Sequence, residues 1–280
     1  MKNALRNFMD KIKPHFEKGG KFEKLHSVYD GFETFLFVPN TTAPKYGSHI
    51  HDPNDTKRTM ITVVIALIPA LLFGMYNVGY QHYLAIGVDA NFWTTFLFGF
   101  LAVLPYIIVS YLVGLGIEFT VAQIKGEEIQ EGFLVTGFLI PLILPINTPL
   151  WMVAIATAFA VIFAKEVFGG TGMNIFNVAL VTRAFLFFAY PTHMTGDSVW
   201  VRTESALGFG GGKAVDAFSG ATPLGQIATS TNSLPHITDT FGNTLSFWDG
   251  FIGLIPGSVG ETSKIAILLG AILFLITGVA

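Results

Sequence analysis

The sequence predicts an all-α integral membrane protein, a polytopic helix bundle with broken helices and about six spans. Hydrophobic residues make up 51% of the 280 positions and charged residues only 12%, whereas an average soluble domain is about 25% charged. Apolar runs recur along the chain at lengths near the roughly 20 residues that cross the hydrocarbon core. Glycine or proline interrupts several of these runs, which predicts helices that break within the bundle.

The composition excludes several kinds of chemistry. The sequence contains no cysteine, so disulfides, thiolate metal sites and iron–sulfur clusters ligated by this chain are ruled out. Any redox centre must therefore be organic, haem-like or supplied by a partner. The formal net charge of −3 offers no broad basic surface to a phosphate backbone, and we predict no nucleic-acid partner.

Residues 1–58 are predicted to form a cytoplasmic, amphipathic N-terminal region that holds ten of the sixteen Lys and Arg residues. Because the polar stretch is so long, no cleavable signal peptide is visible. Two patterns place apolar residues on one helical face: Leu5, Phe8, Met9, Ile12 and Phe16, then Phe22, Leu25, Tyr29, Phe32 and Leu36. Basic amphipathic helices commonly lie on the membrane surface. Packing on a soluble partner is the alternative.

Residues 59–190 are predicted to form a transmembrane bundle of about five spans. The predicted spans cover about 60–76, 92–121, 132–144, 150–168 and 175–190, and Pro141 interrupts the third. Residues 249–280 are predicted to begin a second transmembrane half. Its apolar run stops without a polar terminus, which suggests a truncated chain.

Basic residues predict the orientation. The stretch 77–91 and the turn at Asn147–Thr148 carry no Lys or Arg, and basic residues concentrate in cytoplasmic loops of membrane proteins. The N-terminus is therefore predicted to be cytoplasmic. An odd number of crossings then puts the polar segment 191–248 on the outer side.

Glu118 lies near the end of the second predicted span, just after Gly114, Leu115 and Gly116. An ionisable side chain at membrane depth costs several kcal/mol unless it faces a cavity or a partner, so Glu118 is a functional candidate. A snorkelling carboxylate at the cytoplasmic interface is the alternative. The glycines permit close approach of another helix or of a flat ligand.

The segment 165–177, KEVFGGTGMNIFN, breaks helical continuity with three glycines in four residues. On a helix, Asn174 and Asn177 share a face, where their amides suit the edge of a uracil-like ring such as an isoalloxazine. A plain cytoplasmic turn with an asparagine cap is the alternative. Arg183, about two turns further on, is costly in the membrane unless it pairs with a carboxylate or a ligand.

Two other patterns carry less weight. The segment 207–214, LGFGGGKA, lacks the first glycine and the final Ser or Thr of a phosphate-binding loop, and we interpret it as a flexible loop. His49 and His51 form a pair in an extended segment, but no further His and no Cys lies near them in the sequence. Because four-coordinate sites need such ligands, we predict no metal site.

The segment Asp216–Thr222, DAFSGAT, presents the hydroxyls of Ser219 and Thr222 in a glycine-containing turn just outside a membrane span. Pro223 and the helical pattern LGQIA follow it. Thr222 is therefore a good N-cap with proline at the first helical position. From spacing alone, a capping turn is the favoured interpretation.

DAFSGAT also resembles the acceptor motif Asp-x-x-Ser/Thr-Gly-Ala-Thr of the B-type subunits of the sodium-translocating NADH:quinone reductases (Na⁺-NQR). FGGTGMNIFNVALVTRAFLFFAYP and IPGSVGE are similar to further blocks of that family, and the resemblance covers essentially the whole chain. Val178 departs from the family pattern, which has proline after the second asparagine. The long N-terminal region favours this family over its relative, the D-type subunits of the Rnf ferredoxin:NAD oxidoreductases.

The resemblance implies a membrane redox subunit with two flavins. A periplasmic flavin transferase would cleave FAD and leave FMN joined by a phosphoester to Thr222, in an attachment motif whose other members are Asp216, Ser219, Gly220 and Ala221. Non-covalent riboflavin would lie near Asn174 and Asn177. Electrons would pass from the FMN to riboflavin and then to ubiquinone, coupled to sodium export.

The resemblance also implies a quinone site, an ion path and partners. Gly114, Leu115 and Gly116, with the N-terminal region, are the expected quinone pocket, because an isoprenoid quinone needs an apolar cleft. Glu118 is the expected residue for sodium uptake, since a hard cation prefers oxygen ligands. The expected partners are the other subunits of the complex, ubiquinone, Na⁺ and the lipid bilayer of a bacterial inner membrane. An Rnf-type flavin subunit and a channel for a small polar solute are the alternatives.

Overall fold

The computed structural model describes residues 4–17, 19, 20, 22, 26, 29, 33, 46, 47, 56–126, 132–216, 218–230, 237–242 and 244–279. Nine α-helices lie within these ranges: α1 (Ala4–Ile12), α2 (Thr56–Ile86), α3 (Phe92–Lys125), α4 (Phe133–Ile143), α5 (Leu150–Ala164), α6 (Val178–Ala189), α7 (Pro223–Thr229), α8 (Phe247–Ile252) and α9 (Lys264–Thr277). Short 3-10 helices cover Lys13–His15, Glu166–Phe168 and Pro191–His193. The only β-type pairing in the described residues consists of two isolated bridges, Ala206 with Phe209 and Thr238 with Thr244.

Within the described residues, three helices are long and apolar enough to cross a membrane: α2, α3, and α5 with its 3-10 extension to Phe168. The apolar helices α4, α6 and α9 contain 11, 12 and 14 residues, fewer than the roughly 20 that a full crossing needs. The predicted helical membrane class is therefore confirmed for the described residues. The predicted count of about six full spans is not.

Helix α3 lies at the centre of the bundle and contacts α2, α4 and α5, while α6 packs on α5. The core is apolar, and its largest fully buried members include Phe98, Val103, Phe133, Ile140 and Leu186. Lipid tails are as apolar as these side chains, so close van der Waals packing rather than exclusion of water holds the helices together.

Glycines bring the backbones of α2 and α3 into direct contact. A Cβ atom added to Gly99 would lie 1.6 Å from the carbonyl oxygen of Met75, and one added to Gly79 would lie 1.9 Å from that of Thr95. Small residues allow this approach, which is the usual way in which membrane helices gain contact area. The α2–α3 hairpin is therefore a closely packed unit.

Helix α2 extends ten residues beyond the predicted end of the first span at Tyr76, to Ile86. The prediction failed because Asn77, Gln81 and His82 lower the hydropathy there, yet all three are at most 4% exposed. Asn77 Nδ2 donates to the carbonyl oxygen of Ile255 at 2.9 Å. These polar side chains face another part of the protein and do not mark the end of a helix.

The start of the fifth apolar stretch also differs from the prediction, by a few residues. The fifth apolar stretch is predicted to start at residue 175, but α6 begins only at Val178, since Asn177 caps it.

In the N-terminal region, helix α1 covers most of the first amphipathic pattern. The ring of Phe16 stacks on those of Phe22 and Tyr29, with centroids 5.6 and 5.2 Å apart. Leu25, Phe32 and Leu36 of the second pattern lie outside the described residues.

We predict that Gly99→Ala destabilises the bundle by about 1–3 kcal/mol, because the new methyl group must push α2 and α3 apart. Gly116 on the same helix is the matched control, since nothing lies within 4 Å of its added Cβ. Gly116→Ala should be neutral or stabilising by up to about 1 kcal/mol through helix propensity. Thermal unfolding of the purified variants in detergent measures both, and equal effects would contradict the close contact.

Candidate functional site

Thr222 is the N-cap of α7. Its backbone is extended, its Oγ1 accepts a hydrogen bond from the amide of Gly225 at 3.0 Å, and Pro223 is the first helical residue. The predicted capping turn is therefore confirmed. The side chain is only partly buried, in a segment outside the helices of membrane length.

The rest of the DAFSGAT motif is held in place by hydrogen bonds and close packing of its backbone. Ser219 donates its amide to the carbonyl oxygen of Thr240 at 3.0 Å, and its own Oγ accepts from the amide of Ala221 at 3.3 Å. Gly220 is buried against the 191–201 segment, where an added Cβ would lie 2.4 Å from the carbonyl oxygen of Asp197. The motif needs glycine at this position for that contact, whereas Asp216 and Ser219 are exposed.

A cavity of about 610 Å³ lies beside the motif. We call it the outer cavity; its lining residues include Asn147, Asp197, Ser198, Val201, Phe218, Ser219 and Gly220. Small-molecule sites commonly have volumes of about 300–1,000 Å³. The cavity is therefore large enough for an organic ligand.

Asn147 connects one wall of the outer cavity to the membrane bundle through hydrogen bonds. It belongs to the turn between α4 and α5, and its Nδ2 donates to the carbonyl oxygens of Ser198 at 2.6 Å and Val201 at 2.9 Å. The same turn is fixed from α3, where the hydroxyl of Tyr106 donates to the carbonyl oxygen of Thr148 at 2.7 Å. The break in the membrane helices and the segment 198–201 thus form one hydrogen-bonded structure.

His82 makes a second connection, between the bundle and the segment 202–211. Its ring is fully buried and stacks on Phe98 with centroids 3.6 Å apart. Nδ1 lies 2.7 Å from the carbonyl oxygen of Arg202 and Nε2 lies 3.4 Å from the amide nitrogen of Gly211. A carbonyl only accepts and an amide only donates, so these partners assign the proton to Nδ1.

Asn174 and Asn177 do not share a helical face, because the helix begins after them. Asn177 caps α6, with Oδ1 accepting from the amides of Ala179 and Leu180 at 3.0 and 3.2 Å. Asn174 lies in the preceding turn, where Oδ1 accepts from Gly172 and Nδ2 donates to the carbonyl oxygen of Phe176. The local geometry is the turn with an asparagine cap that the sequence left open as an alternative.

Arg183 pairs with a carboxylate, as its depth in the predicted span requires. Its Nη1 lies 3.3 Å from Oε1 of Glu261, which belongs to the IPGSVGE segment. Glu261 also accepts a hydrogen bond from the hydroxyl of Ser258. The pair is partly exposed, so its contribution to stability is small.

Glu118 forms a buried ion pair with Lys165, the residue that follows α5. Each side chain is only 5% exposed, so Glu118 does not snorkel to the interface. Oε1 contacts the ammonium group, whereas Oε2 has no hydrogen-bond partner among the described residues. Nearer the helix end, Lys125 Nζ lies 3.5 Å from Oε2 of Glu166. Two ion pairs therefore join the end of α3 to the end of α5.

The glycines before Glu118 differ in their surroundings. Gly114 is covered by the ring of Phe133, whose Cζ lies 1.8 Å from the position of an added Cβ. Gly116 faces open space on the outside of the bundle, and Leu115 between them is partly buried. A flat ligand at Gly114 must displace Phe133, whereas the side of α3 at Gly116 is accessible from the lipid.

The two weaker sequence patterns have different outcomes. In the segment 207–214, Ala206 and Phe209 exchange backbone hydrogen bonds of 2.9 Å around a tight turn. The segment is thus a loop, as predicted, and Gly210 packs on the rings of Phe98 and His82. His49 and His51 lie outside the described residues.

The sequence reasoning overlooked Lys165, Asn147 and His82. Asn77 and Gln81, four residues apart and followed by His82, gave the only usable signal, because that spacing indicates one polar helical face. Lys165 is, in the sequence, only the first residue of the glycine-rich segment 165–177. Asn147 was noted only as part of an uncharged turn.

We predict that Lys165→Met lowers the free energy of unfolding by about 3–5 kcal/mol, because it leaves the carboxylate of Glu118 buried without its cation. The double variant Glu118→Gln/Lys165→Met should recover most of that loss, since it removes both charges. Thermal unfolding in detergent measures the cycle. Additive losses would show that the two side chains do not stabilise each other.

The chain matches the family model described as NQR2, RnfD, RnfE over residues 44–280. It is 41% identical to the B-type subunit of the Na(+)-translocating NADH-quinone reductase of Chromohalobacter salexigens, with 99% of this chain and 68% of that protein covered. The corresponding proteins of Ectopseudomonas mendocina and Pseudomonas aeruginosa (strain LESB58) are 42% and 40% identical, each covering 99% of this chain and 70% of the relative. The chain therefore belongs to the NQR2, RnfD, RnfE family.

Proposed function

We propose that this chain is the B-type subunit of a sodium-translocating NADH:quinone reductase and that Thr222 carries FMN through a phosphoester. The names of the aligned relatives support the first part. One observation carries the second: Thr222 is only partly buried at the N-terminus of α7, in the DAFSGAT motif and outside the membrane-length helices. The chain would work with the other subunits of that complex, with ubiquinone and with Na⁺.

The attachment reaction balances with FAD as the donor. The Thr222 oxygen would form a bond to the phosphorus on the FMN side of the pyrophosphate, and that pyrophosphate bond would break. AMP would leave with the bonding electrons, and the hydroxyl proton would go to solvent. A flavin transferase outside the cytoplasm is the expected catalyst.

The capping geometry at Thr222 is compatible with an ester. In the hydrogen bond from Gly225, Oγ1 acts as the acceptor, so the cap does not use the proton that esterification removes. Bound FMN would supply one- and two-electron redox chemistry at this position. The chain itself holds the attachment oxygen in place and provides the outer cavity beside it.

We keep Asn174 and Asn177 as the proposed riboflavin ligands, although their local hydrogen bonds limit how they can bind a ring. The amide of Asn174 is engaged at both ends within its own turn. Recognition of a ring edge by Asn174 therefore requires those local hydrogen bonds to be exchanged for bonds to the ligand. Asn177 is exposed and uses its Oδ1 as a cap, so its amide nitrogen is the readier donor.

Glu118 stays the proposed residue for sodium uptake. Its Oε2 is buried without a hydrogen-bond partner among the described residues, and a carboxylate oxygen suits a hard cation. Lys165 already neutralises this carboxylate, so an entering cation competes with an ammonium group. The proposed quinone approach is the open side of α3 at Gly116, next to partly buried Leu115, while Gly114 is closed by Phe133.

We predict that Thr222→Ala abolishes the flavin fluorescence of the denatured protein in a gel, when the chain is produced in cells that contain the transferase. Thr222→Asn should abolish it too while keeping the helix cap, because asparagine caps as well as threonine. Thr229→Ala on the same helix is the matched control and should retain the signal. Fluorescence that survives both Thr222 substitutions would contradict attachment at this residue.

We predict that the segment bearing Thr222 faces the periplasm of a bacterial inner membrane. Because the chain has no cysteine, a single introduced cysteine gives an unambiguous label. Ser205→Cys should react with a membrane-impermeant maleimide in intact spheroplasts, whereas Met173→Cys should react only after permeabilisation. The reverse pattern would place the motif in the cytosol and overturn the attachment proposal.

A further inference from the structure

An exposed aromatic cluster covers α8, the short helix that precedes α9. Phe247 and Trp248 are 77% and 65% exposed, and the ring of Phe251 lies 6.0 and 5.9 Å from their rings. The only charged residue of α8 is Asp249, whose Oδ2 accepts from the amide of Ser246 in a capping box. The helix therefore presents aromatic rings that the described residues leave uncovered, and its one charge belongs to its cap.

A second aromatic group lies where α2 and α3 meet at the end of their hairpin. Trp93 is 76% exposed, and its ring contacts that of Phe92 with centroids 5.4 Å apart. Phe92 stacks on Tyr76 at 5.2 Å, and Tyr76 stacks on Tyr80 at 6.3 Å. Trp and Tyr are enriched where a membrane meets water, because each joins an apolar ring to one polar N–H or O–H group.

Contacts with α2 show that the two aromatic groups lie at a similar level. A Cβ atom added to Gly79 would collide with the carbonyl oxygen of Thr95, two residues after Trp93. Asn77 donates to the carbonyl oxygen of Ile255, three residues after α8 ends. Asn77 and Gly79 are only about 3 Å apart along the helix axis, so α2 brings both groups to one height.

On one side of this level the surface is apolar. The chain after α8 runs along α2 away from the level, since Val259 packs on Gly74 and Gly270 packs on Ala66. Large exposed side chains of these stretches of α2 and α9 are apolar, among them Ile65, Ile68, Leu72, Ile265, Leu268 and Ile272. This surface belongs to membrane helices, and α8 continues it without a break in the chain.

On the other side of the level, exposed charged residues appear. Val215 donates its amide to the carbonyl oxygen of Ala85 at 2.9 Å, so the neighbouring Lys213 lies beside the last turn of α2. Lys213 is exposed, and so is Asp89 in the turn that follows α2. The aromatic groups thus lie between an apolar surface and a charged one.

We infer that α8 lies in the membrane–water interface, with the rings of Phe247 and Trp248 at the boundary between lipid headgroups and acyl chains. With Phe92 and Trp93 it forms an interface belt that fixes the depth of the segment bearing Thr222. The partner is a phospholipid surface, because the belt borders the apolar faces of membrane helices and α8 offers no free charge for a polar rim around a protein contact. The inference depends on the membrane class of the chain and not on the flavin.

The test uses the full-length chain in phosphatidylcholine vesicles and measures tryptophan fluorescence. The sequence has four tryptophans, and the first variant keeps Trp248 while phenylalanine replaces Trp93, Trp151 and Trp200. Phosphatidylcholines brominated near the headgroup end or near the methyl end of their acyl chains quench at shallow or deep positions, and acrylamide quenches from the water. In the matched control all four tryptophans are phenylalanine, and Lys213→Trp places a single indole beside the end of α2.

Trp248 should be quenched several-fold more strongly by shallow than by deep bromine, and less by acrylamide than the Lys213→Trp control. That control should respond strongly to acrylamide and little to either brominated lipid. Quenching of Trp248 by acrylamide alone would put α8 in water, and protection from all three quenchers would put it against protein. Deeper quenching would put it inside the hydrocarbon core. Each of these three results overturns the inference, whether or not Thr222 carries a flavin.

The shared level has its own measurement. A variant that keeps only Trp93 should give the same ratio of shallow to deep quenching as the variant that keeps only Trp248, because both indoles belong to the belt. Ratios that differ several-fold would overturn the belt as a single feature.

A labelling experiment decides the matter if the loss of three tryptophans prevents folding. Because the chain has no cysteine, Phe247→Cys and Lys213→Cys in otherwise unchanged chains each carry one nitroxide. The Phe247→Cys label should collide several-fold more often with oxygen, which concentrates in lipid, than with a water-soluble nickel chelate, and the Lys213→Cys label should show the reverse. Equal collision ratios at the two positions would contradict the interfacial position of α8.

Discussion

The surplus length of α2 and α3 is the constraint on which the part of this protein that bears Thr222 depends. Helix α3 has 34 residues and is about 51 Å long at 1.5 Å per residue, whereas the hydrocarbon core is about 30 Å thick. The surplus carries His82 and its stacking partner Phe98 into contact with the segment 202–211. The segment that bears Thr222 is therefore packed on the α2–α3 hairpin. This packing fixes the positions of the motif and of the outer cavity.

Inside the bundle, several polar side chains that water cannot reach have a partner in the protein for at least one of their polar atoms, because an unpaired polar group is costly in a low-dielectric environment. Glu118 is neutralised by Lys165, and the helix break between α4 and α5 is held by Tyr106 and by Asn147. These groups have structural roles whatever else they do. A function that uses Glu118 or opens Gly114 must therefore displace a neighbour, Lys165 in the first case and Phe133 in the second.

Features that depend on near neighbours along the chain were predicted well. The N-cap at Thr222 followed from Pro223 and the helical pattern behind it, and Thr222 does cap α7. Predictions failed where the residue pattern along the chain is explained by contacts with residues far away in the sequence. The polar residues after Tyr76 looked like the end of a span, but they are buried against loops, so α2 continues to Ile86. Asn174 and Asn177 were expected on one helix, but the cap formed by Asn177 starts the helix after both.

The sequence by itself determined the helical membrane class, the absence of cysteine chemistry and the turn that presents Thr222, because composition, hydropathy and capping act over a few residues. Only the tertiary structure decided which partners the charges find and what surrounds the motif. Lys165 and Glu118 are 47 positions apart, and His82 and Arg202 are 120 apart. The outer cavity joins a membrane turn to a motif more than sixty residues later. Such contacts depend on how the helices pack, and no local pattern encodes that packing.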